Sequence, residues 1–199
     1  SNSKKIILRI DTSNYTSTTY AGIENQEETL DGDFSTAKFT SPDGLVIDQN
    51  NDIIYVSERD GQTIRKLQNG NVTTLAGKER QTGSTNGQGT SSRFNYPYDL
   101  TVDSIGNVFV ADTDNQLIRK ITPNGVVSSF AGISNTKGST DGKVEVAQFY
   151  KPTGIAIDKK DNLYVVEQDV HTIRKITVGS DNHTYQEIFR GSTQHTVIE

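Results

Sequence analysis

Three acidic residues are each followed seven positions later by an arginine, and these six residues are the first candidates for chemistry: Glu58 and Arg65, Asp112 and Arg119, Glu167 and Arg174. The acids could serve as metal ligands or general bases. Alternatively, each acid and its arginine could form a structural ion pair. If a four-residue hairpin loop separates two strands, both side chains fall on the same sheet face as diagonal neighbours. A single active site would not need three copies, so the repetition favours structural pairs.

Other catalytic residue types are sparse. The chain has no cysteine, which excludes thiol catalysis and cysteine-zinc sites, and no serine lies in a G-x-S-x-G turn. Its histidines are His171, His183 and His195, and only His171 falls within a repeated sequence frame. We therefore predict no histidine-based metal site and no cofactor. Calcium bound by scattered carboxylates remains an alternative, because oxygen ligands need no sequence motif.

The repeated frame has a period of 55 residues. Phe39, Phe94 and Phe149 are separated by this step, and the same step relates the Ala-Gly pairs that begin at Ala21 and Ala76. Each unit contains four short apolar runs separated by turn residues; in the middle unit they cover 99–103, 108–112, 117–122 and 126–131. Four strands joined by tight turns form an antiparallel meander, which cannot bury both faces alone, so the units must stack. The pattern predicts an all-β fold, a β-propeller of four-stranded antiparallel blades.

The motifs of one unit resemble NHL repeats. They are the Ala-Gly pair, a Gly-rich loop containing Asp-Gly or Asn-Gly, F-x-x-P-x-G-I-A-x-D, N-L-Y-V-x-D and I-R-K-I. The resemblance extends over residues 7–191 and recurs three times in register. It implies a ring of roughly six blades. It leaves function open, because NHL propellers include binding domains, receptor ectodomains, RNA-binding modules and a few enzymes.

The repeat predicts about three and a half blades, and hence a partial ring. Residues 1–22 would supply the last two strands of a blade, and 23–77, 78–132 and 133–191 would each form a blade with a long connecting loop, followed by a tail at 192–199. The final blade would expose an outward apolar face that includes residues such as Ile173 or Ile176. We therefore expect the chain to contact further protein, either the remainder of its ring or another chain.

Strand direction predicts which surface binds a ligand. The long Gly-rich loops at 22–39, 77–94 and 132–149 and the hairpins at 58–63, 112–117 and 167–172 must emerge on one face, here called the long-loop face. The short turns at 49–52, 104–107 and 159–162 emerge on the opposite, short-turn face. Loops held by a rigid scaffold commonly carry function. The P-x-G corner beside the channel varies between copies, and it supplies the candidate ligand-binding residues: Asp43, Tyr98, Asp99 and Thr153.

The net charge of the chain restricts the classes of partner that it is expected to bind. The net charge is −5 and no more than two basic residues are adjacent, whereas nucleic-acid-binding domains normally show a basic surplus. We predict no nucleic-acid or membrane partner, and a protein or carbohydrate ligand. We expect an extracytoplasmic or secreted location.

The sequence thus predicts a non-catalytic binding or protein-interaction scaffold with its ligand on the long-loop face. The alternative is an extracytoplasmic, lactonase-like hydrolase or lyase with a metal ion in the central channel.

Overall fold

A computed structural model describes residues 4–178 and 185–190 of the chain. Within these residues the regular structure consists of antiparallel strands and two 3₁₀ turns of three residues each. No helix among them is long and apolar enough to cross a membrane. The predicted tail at 192–199, His183 and His195 lie outside the described residues.

The strands form one two-stranded sheet and three blades. The two-stranded sheet contains β1 (Ile7–Asp11) and β2 (Thr16–Ala21). The first blade contains β3 (Gly32–Asp33), β4 (Pro42–Asp48), β5 (Ile53–Glu58), β6 (Thr63–Gln68) and β7 (Asn71–Gly77). The second contains β8 (Gly87–Gln88), β9 (Pro97–Val102), β10 (Val108–Asp112), β11 (Leu117–Ile121) and β12 (Val126–Ala131), with 3₁₀ turns at Gly89–Ser91 and Thr113–Asn115. The third contains β13 (Pro152–Ile157), β14 (Leu163–Glu167), β15 (Thr172–Val178) and β16 (Tyr185–Arg190).

Each blade is the predicted meander, with every strand antiparallel to the next and β4, β9 and β13 at one edge. Together with the two-stranded sheet, the blades make an open partial ring, as the repeat predicted. The propeller fold and its all-β class are therefore confirmed.

The long loops were predicted to emerge on the long-loop face, and this is only partly right. Their ends lie there, but the first two loops run to the outer edge of the next blade, where β3 pairs with β7 and β8 pairs with β12. A two-residue Gly-rich strand carries no alternating apolar pattern, so no sequence signal marks this fifth strand. The middle of these loops is thus part of the blade edge.

The core lies between blades. Three apolar clusters each combine residues of neighbouring sheets, and the repeated Phe39, Phe94 and Phe149 are fully buried in one cluster each. Full burial of one such side chain is worth roughly 1.5–3 kcal/mol. The 55-residue period therefore places one aromatic anchor at each junction between sheets.

One predicted exposure is wrong. Ile176 is fully buried in the cluster that contains Phe149, because it lies on the same side of β15 as the buried Arg174. Ile173 lies on the other side of that strand and is 56% exposed. The outward face of the final blade therefore includes Ile173 and not Ile176.

Candidate functional site

The three arginines of the acid–arginine pairs are the largest fully buried side chains of the described residues. Arg65 Nη1 lies 2.8 Å from Glu58 Oε2, across the β5–β6 hairpin. The same bond is 2.8 Å between Arg119 and Asp112 and 3.1 Å between Arg174 and Glu167. Both side chains of every pair are fully buried. The acids are thus enclosed in ion pairs, where a substrate cannot reach them.

Each arginine also binds the long loop in front of its blade. Arg65 donates from Nη1 to the Lys38 carbonyl oxygen, and from Nη2 to the Leu30 carbonyl oxygen and Asp31 Oδ1, at 2.9–3.0 Å. The same contacts recur from Arg119 to Arg93, Thr85 and Asn86, and from Arg174 to Gln148, Thr140 and Asp141. The arginine therefore ties the loop to the hairpin.

Sequence reasoning missed these loop acceptors, although a signal existed. Asp31, Asn86 and Asp141 are the first residues of the repeated Asp-Gly or Asn-Gly pairs, and all three accept from an arginine. The guanidinium carbon also lies 5.2 Å from the ring centre of Phe39, Phe94 or Phe149 in the respective blade. The Asp-Gly or Asn-Gly motif of the long loop thus completes the set of contacts around each arginine.

Burial affects the electrostatics of the middle pair. It raises the pKa of the Asp112 carboxyl to about 6, and the nearby Arg119 guanidinium and the hydrogen bonds from Asn115 and Asn95 oppose this rise. The Asn115 side chain and the Asn95 backbone N–H donate to Asp112 at 2.8 and 2.7 Å. These partners of Asp112 are all groups of the protein, and we therefore interpret the pair of Asp112 and Arg119 as stabilising the hairpin.

The four candidate ligand-binding residues come together at the channel. Asp43, Tyr98, Asp99 and Thr153 line a single depression of about 270 Å³, here called the channel depression, which also includes Gly44. They lie on β4, β9 and β13, the strands at the channel edge of consecutive blades. The variable P-x-G corners therefore form one surface.

Asp99 has a structural task within this surface. Its Oδ1 accepts from the backbone N–H of Leu100 at 2.8 Å, and its Oδ2 accepts from the backbone N–H of Ile155 at 2.9 Å. Ile155 belongs to the next blade, so Asp99 links the edge strands of two blades. Of the four candidates, it has the least capacity left for a ligand.

Arg59 is a site residue that the sequence did not point to. Its guanidinium carbon lies 5.4 Å from the Tyr98 ring centre, and its Nε lies 3.4 Å from Asp43 Oδ2 and 3.2 Å from Asp60 Oδ1. Burial raises the pKa of Asp43, and Arg59 opposes this rise. The Arg59 guanidinium lowers the pKa of Asp60. The sequence did contain one signal, because the residue that directly follows the paired acid differs between the three copies. It is Arg59 in the first copy, Thr113 in the second and Gln168 in the third.

A second depression of about 480 Å³, here called the hairpin depression, adjoins the first. It lies among the three hairpins and shares Tyr98 and Thr153 with the channel depression. The second residue of every hairpin loop is an aspartate, and all three line it: Asp60, Asp114 and Asp169. The two depressions make the long-loop face concave beside the channel.

The short-turn face also has a depression, of about 550 Å³. Its aspartates, however, already accept hydrogen bonds from the protein: Asp48, Asp103 and Asp158 within their own turns, and Asp161 from Ser104 of the preceding blade. Asp103 accepts from the backbone N–H groups of Ile105 and Asn107 and from the Asn107 side chain, at 2.7–3.1 Å. Asp158 accepts in the same way from Lys160 and Asn162. These carboxylates stabilise turns, so volume alone does not make this face the better site.

His171 lies in the β14–β15 turn with a φ of 54°. Gln62 and Gln116 hold the equivalent left-handed positions, and each accepts a backbone N–H from the next blade, of Tyr96 at 2.8 Å and Lys151 at 2.6 Å. Among residues 4–178, no group of three histidine, aspartate or glutamate side chains is arranged to hold a metal ion. The position of His171 matches a contact between blades.

Comparisons with known proteins agree with this architecture. No family model matches the chain. It is 28% identical over 151 residues to Protein SUPPRESSOR OF QUENCHING 1, chloroplastic, of Arabidopsis thaliana, covering 71% of this chain and 14% of that protein. It is 37% identical over 82 residues to NHL repeat-containing protein 2 of Gallus gallus, covering 41% of this chain and 11% of that protein. The chain therefore spans a small part of these relatives.

Solved structures show the same fold. A structural genomics protein of unknown function from Bacteroides thetaiotaomicron superposes with a TM-score of 0.71 at 22% identity, over 92% of this chain and 42% of that one. An auxiliary nutrient binding protein from Bacteroides ovatus gives 0.64 at 21% identity, over 95% and 44%. Virginiamycin B lyase from Staphylococcus aureus gives 0.58 at 20% identity, over 96% and 50%. The chain spans half of these structures or less.

The blades, the repeat motifs and the similar proteins all indicate the same class of protein. The chain has the β-propeller fold, and its repeats are similar to those of NHL repeat-containing proteins.

Proposed function

We propose that this chain is a non-catalytic binding module, and that its ligand, a protein or a carbohydrate, occupies the two depressions of the long-loop face. The observation that carries this proposal is the convergence of the variable residues Asp43, Tyr98 and Thr153 with Arg59 on one concave surface. Tyrosine and arginine are enriched among the residues that dominate binding energies. The name of the similar auxiliary nutrient binding protein is consistent with a binding role.

The buried acids support a role without catalysis. Glu58, Asp112 and Glu167 would be natural general bases, but each is fully buried against its arginine. A general base must lie within hydrogen-bond reach of the proton that it removes. These groups reach only protein atoms, so we assign them to the scaffold.

A binding screen tests the proposal. The chain is screened against a glycan array and a displayed library of random peptides, and each binder is measured again with Tyr98→Ala. We expect at least a tenfold loss of affinity, because truncating a central aromatic anchor typically removes 2 kcal/mol or more, a factor of about 30. Tyr15→Ala is the matched control, since Tyr15 is 86% exposed in the β1–β2 turn, away from the depressions.

Two outcomes would contradict the proposal. Binders that are insensitive to Tyr98→Ala but lost on substitution of the 104–107 turn would place the ligand on the short-turn face. Turnover of a sugar lactone or ester, together with stoichiometric calcium or zinc by elemental analysis, would instead support the hydrolase or lyase alternative. The similarity to virginiamycin B lyase makes that arm worth measuring.

A further inference from the structure

Asp114 differs from the two aspartates that share its position in the hairpin loops. Asp60 pairs with Arg59 at 3.2 Å, and Asp169 pairs with Lys151 at 3.7 Å. Both of these aspartates are exposed. Asp114 is half-buried, and its carboxylate forms no ion pair with any residue in the described part of the chain. The middle blade therefore presents an uncompensated carboxylate to the hairpin depression.

The frame around Asp114 is rigid. Its backbone N–H donates to the Asn95 carbonyl oxygen at 3.0 Å, and the N–H of Thr113 donates to the Tyr96 carbonyl oxygen at 3.2 Å. The Thr113 hydroxyl donates to the Pro152 carbonyl oxygen of the next blade at 2.6 Å. Because these bonds hold the 3₁₀ turn against the rest of its own blade and against the next blade, the carboxylate stays at the depression. A site built on fixed groups loses little entropy when a ligand binds.

The remaining walls favour a positively charged ligand. Tyr96 and Tyr98 line the depression and are 40% and 37% exposed, so their rings are accessible. Three aspartates face it against the two cations Arg59 and Lys151, which are already paired. An anion would meet a net negative surface. A cation would meet a free carboxylate beside the Tyr96 ring and beside the Tyr98 ring, one face of which Arg59 already contacts; aromatic faces attract cations through the ring quadrupole.

We propose that the hairpin depression binds an arginine or lysine side chain presented by a peptide segment of a protein partner. This inference rests on the proposed function and adds the chemistry of the ligand. A guanidinium group and its stem fill only part of about 480 Å³, which leaves room for flanking residues of the partner. The net charge of −5 adds a long-range attraction for a basic partner.

A titration followed by NMR tests the assignment. The ¹⁵N-labelled full chain is titrated at low salt with Ac-Gly-Arg-Gly-NH₂, with the neutral Ac-Gly-Gln-Gly-NH₂, and with methylguanidinium as a free cation. We expect the arginine peptide to shift the amide signals of Tyr96, Tyr98 and Asp114, and to bind at least tenfold more tightly than the glutamine peptide. It should bind more tightly than methylguanidinium, and its affinity should fall with added salt.

Two charge-matched variants complete the test. Asp114→Asn should lower the affinity for the arginine peptide at least tenfold. Asp52→Asn, the same change on the short-turn face, should alter that affinity less than twofold. A dispersed amide spectrum for both variants shows that they are folded. No ligand contact is expected at Asp52, because it lies in the β4–β5 turn.

Several results would overturn the inference. Equal affinities for the arginine and glutamine peptides, shifts confined to other surfaces, or equal losses in both variants would each refute a cation site. If methylguanidinium bound as tightly as the peptide, the assignment of the ligand to a protein partner would be wrong. A ligand from the binding screen that needs Tyr98 but tolerates Asp114→Asn would refute this inference alone. If no ligand in that screen depended on Tyr98, the proposed function itself would be refuted.

Discussion

At the scale of the residue, one buried guanidinium explains most of the fixed spacing within the repeat. Arg119 has four acceptors: Asp112, two loop carbonyl oxygens and Asn86. Taking a charge out of water is expensive, and these four hydrogen bonds offset much of that loss, although Arg119 Nε has no hydrogen-bond partner among the described residues. The acids, which the repetition in the sequence favoured as structural partners, therefore neutralise arginines that hold the loop, the hairpin and the phenylalanine together.

Removing one of these arginines should destabilise the fold strongly. Arg119→Met keeps much of the side-chain volume but leaves Asp112 buried without its partner. Breaking a buried ion pair in this way costs about 3–5 kcal/mol. We expect the free energy of unfolding, measured in urea, to fall by that amount.

The control for this variant is Arg9→Met on the exposed face of β1. A surface substitution of this kind should change the free energy of unfolding by no more than about 0.5 kcal/mol. If Arg119→Met proved as mild as Arg9→Met, Arg119 would not be the structural centre of its blade.

At the scale of the element, the strands were predictable and their long-range contacts were not. The runs at 108–112 and 126–131 match β10 and β12 as observed, because alternating apolar residues and turn residues are local signals. The fifth strands β3 and β8 are short and Gly-rich, so the same signals could not predict them. Asp43, Tyr98 and Thr153 were chosen as the residues that the repeat leaves free. The contact between Tyr98 and Arg59 depends on how closely neighbouring blades approach, and no local sequence pattern records that distance.

The Ala-Gly pair at the end of each outer strand shows why a motif can be strict. Gly77 has a φ of +86°, and a Cβ on it would collide with the carbonyl oxygen of Gln62. Gly132 has a φ of +97° and faces Gln116 in the same way. The glycine thus permits both the left-handed backbone and the close approach of the hairpin.

Two alanine substitutions separate these effects. Gly70 has a similar φ of +80°, but a Cβ on it would meet nothing within 4 Å. Gly70→Ala should therefore cost only the backbone term, roughly 1–2 kcal/mol. Gly77→Ala should cost clearly more, because the hairpin must also move. Urea unfolding of both variants provides the comparison, and equal losses would show that the contact with Gln62 has no importance.

At the scale of the whole molecule, apolar side chains at equivalent positions are exposed at the two ends of the arc, where a neighbouring blade is missing, and buried in its middle. Leu100 and Ile155 are 3% and 6% exposed against the preceding blade, whereas Leu45, their equivalent in the first blade, is 44% exposed. On the opposite side, Ile118 is fully buried by the following blade, and its equivalent Ile173 is 56% exposed. Both ends of the arc thus expose apolar surfaces whose equivalents in the middle of the arc are buried between blades.

We expect these surfaces to contact more protein, so that the chain at micromolar concentration forms assemblies heavier than its own 21.9 kDa. Leaving several such apolar side chains in water forfeits up to roughly 1.5–3 kcal/mol each, against a usual domain stability of about 5–15 kcal/mol. Light scattering measures the mass directly. Ile173→Asp should reduce the association, while Ile105→Asp, at a 54% exposed position in a short turn, should not. A monomer that melts cooperatively at that concentration would show that the open arc needs no covering partner, because its blades would then be stable with both end surfaces in water.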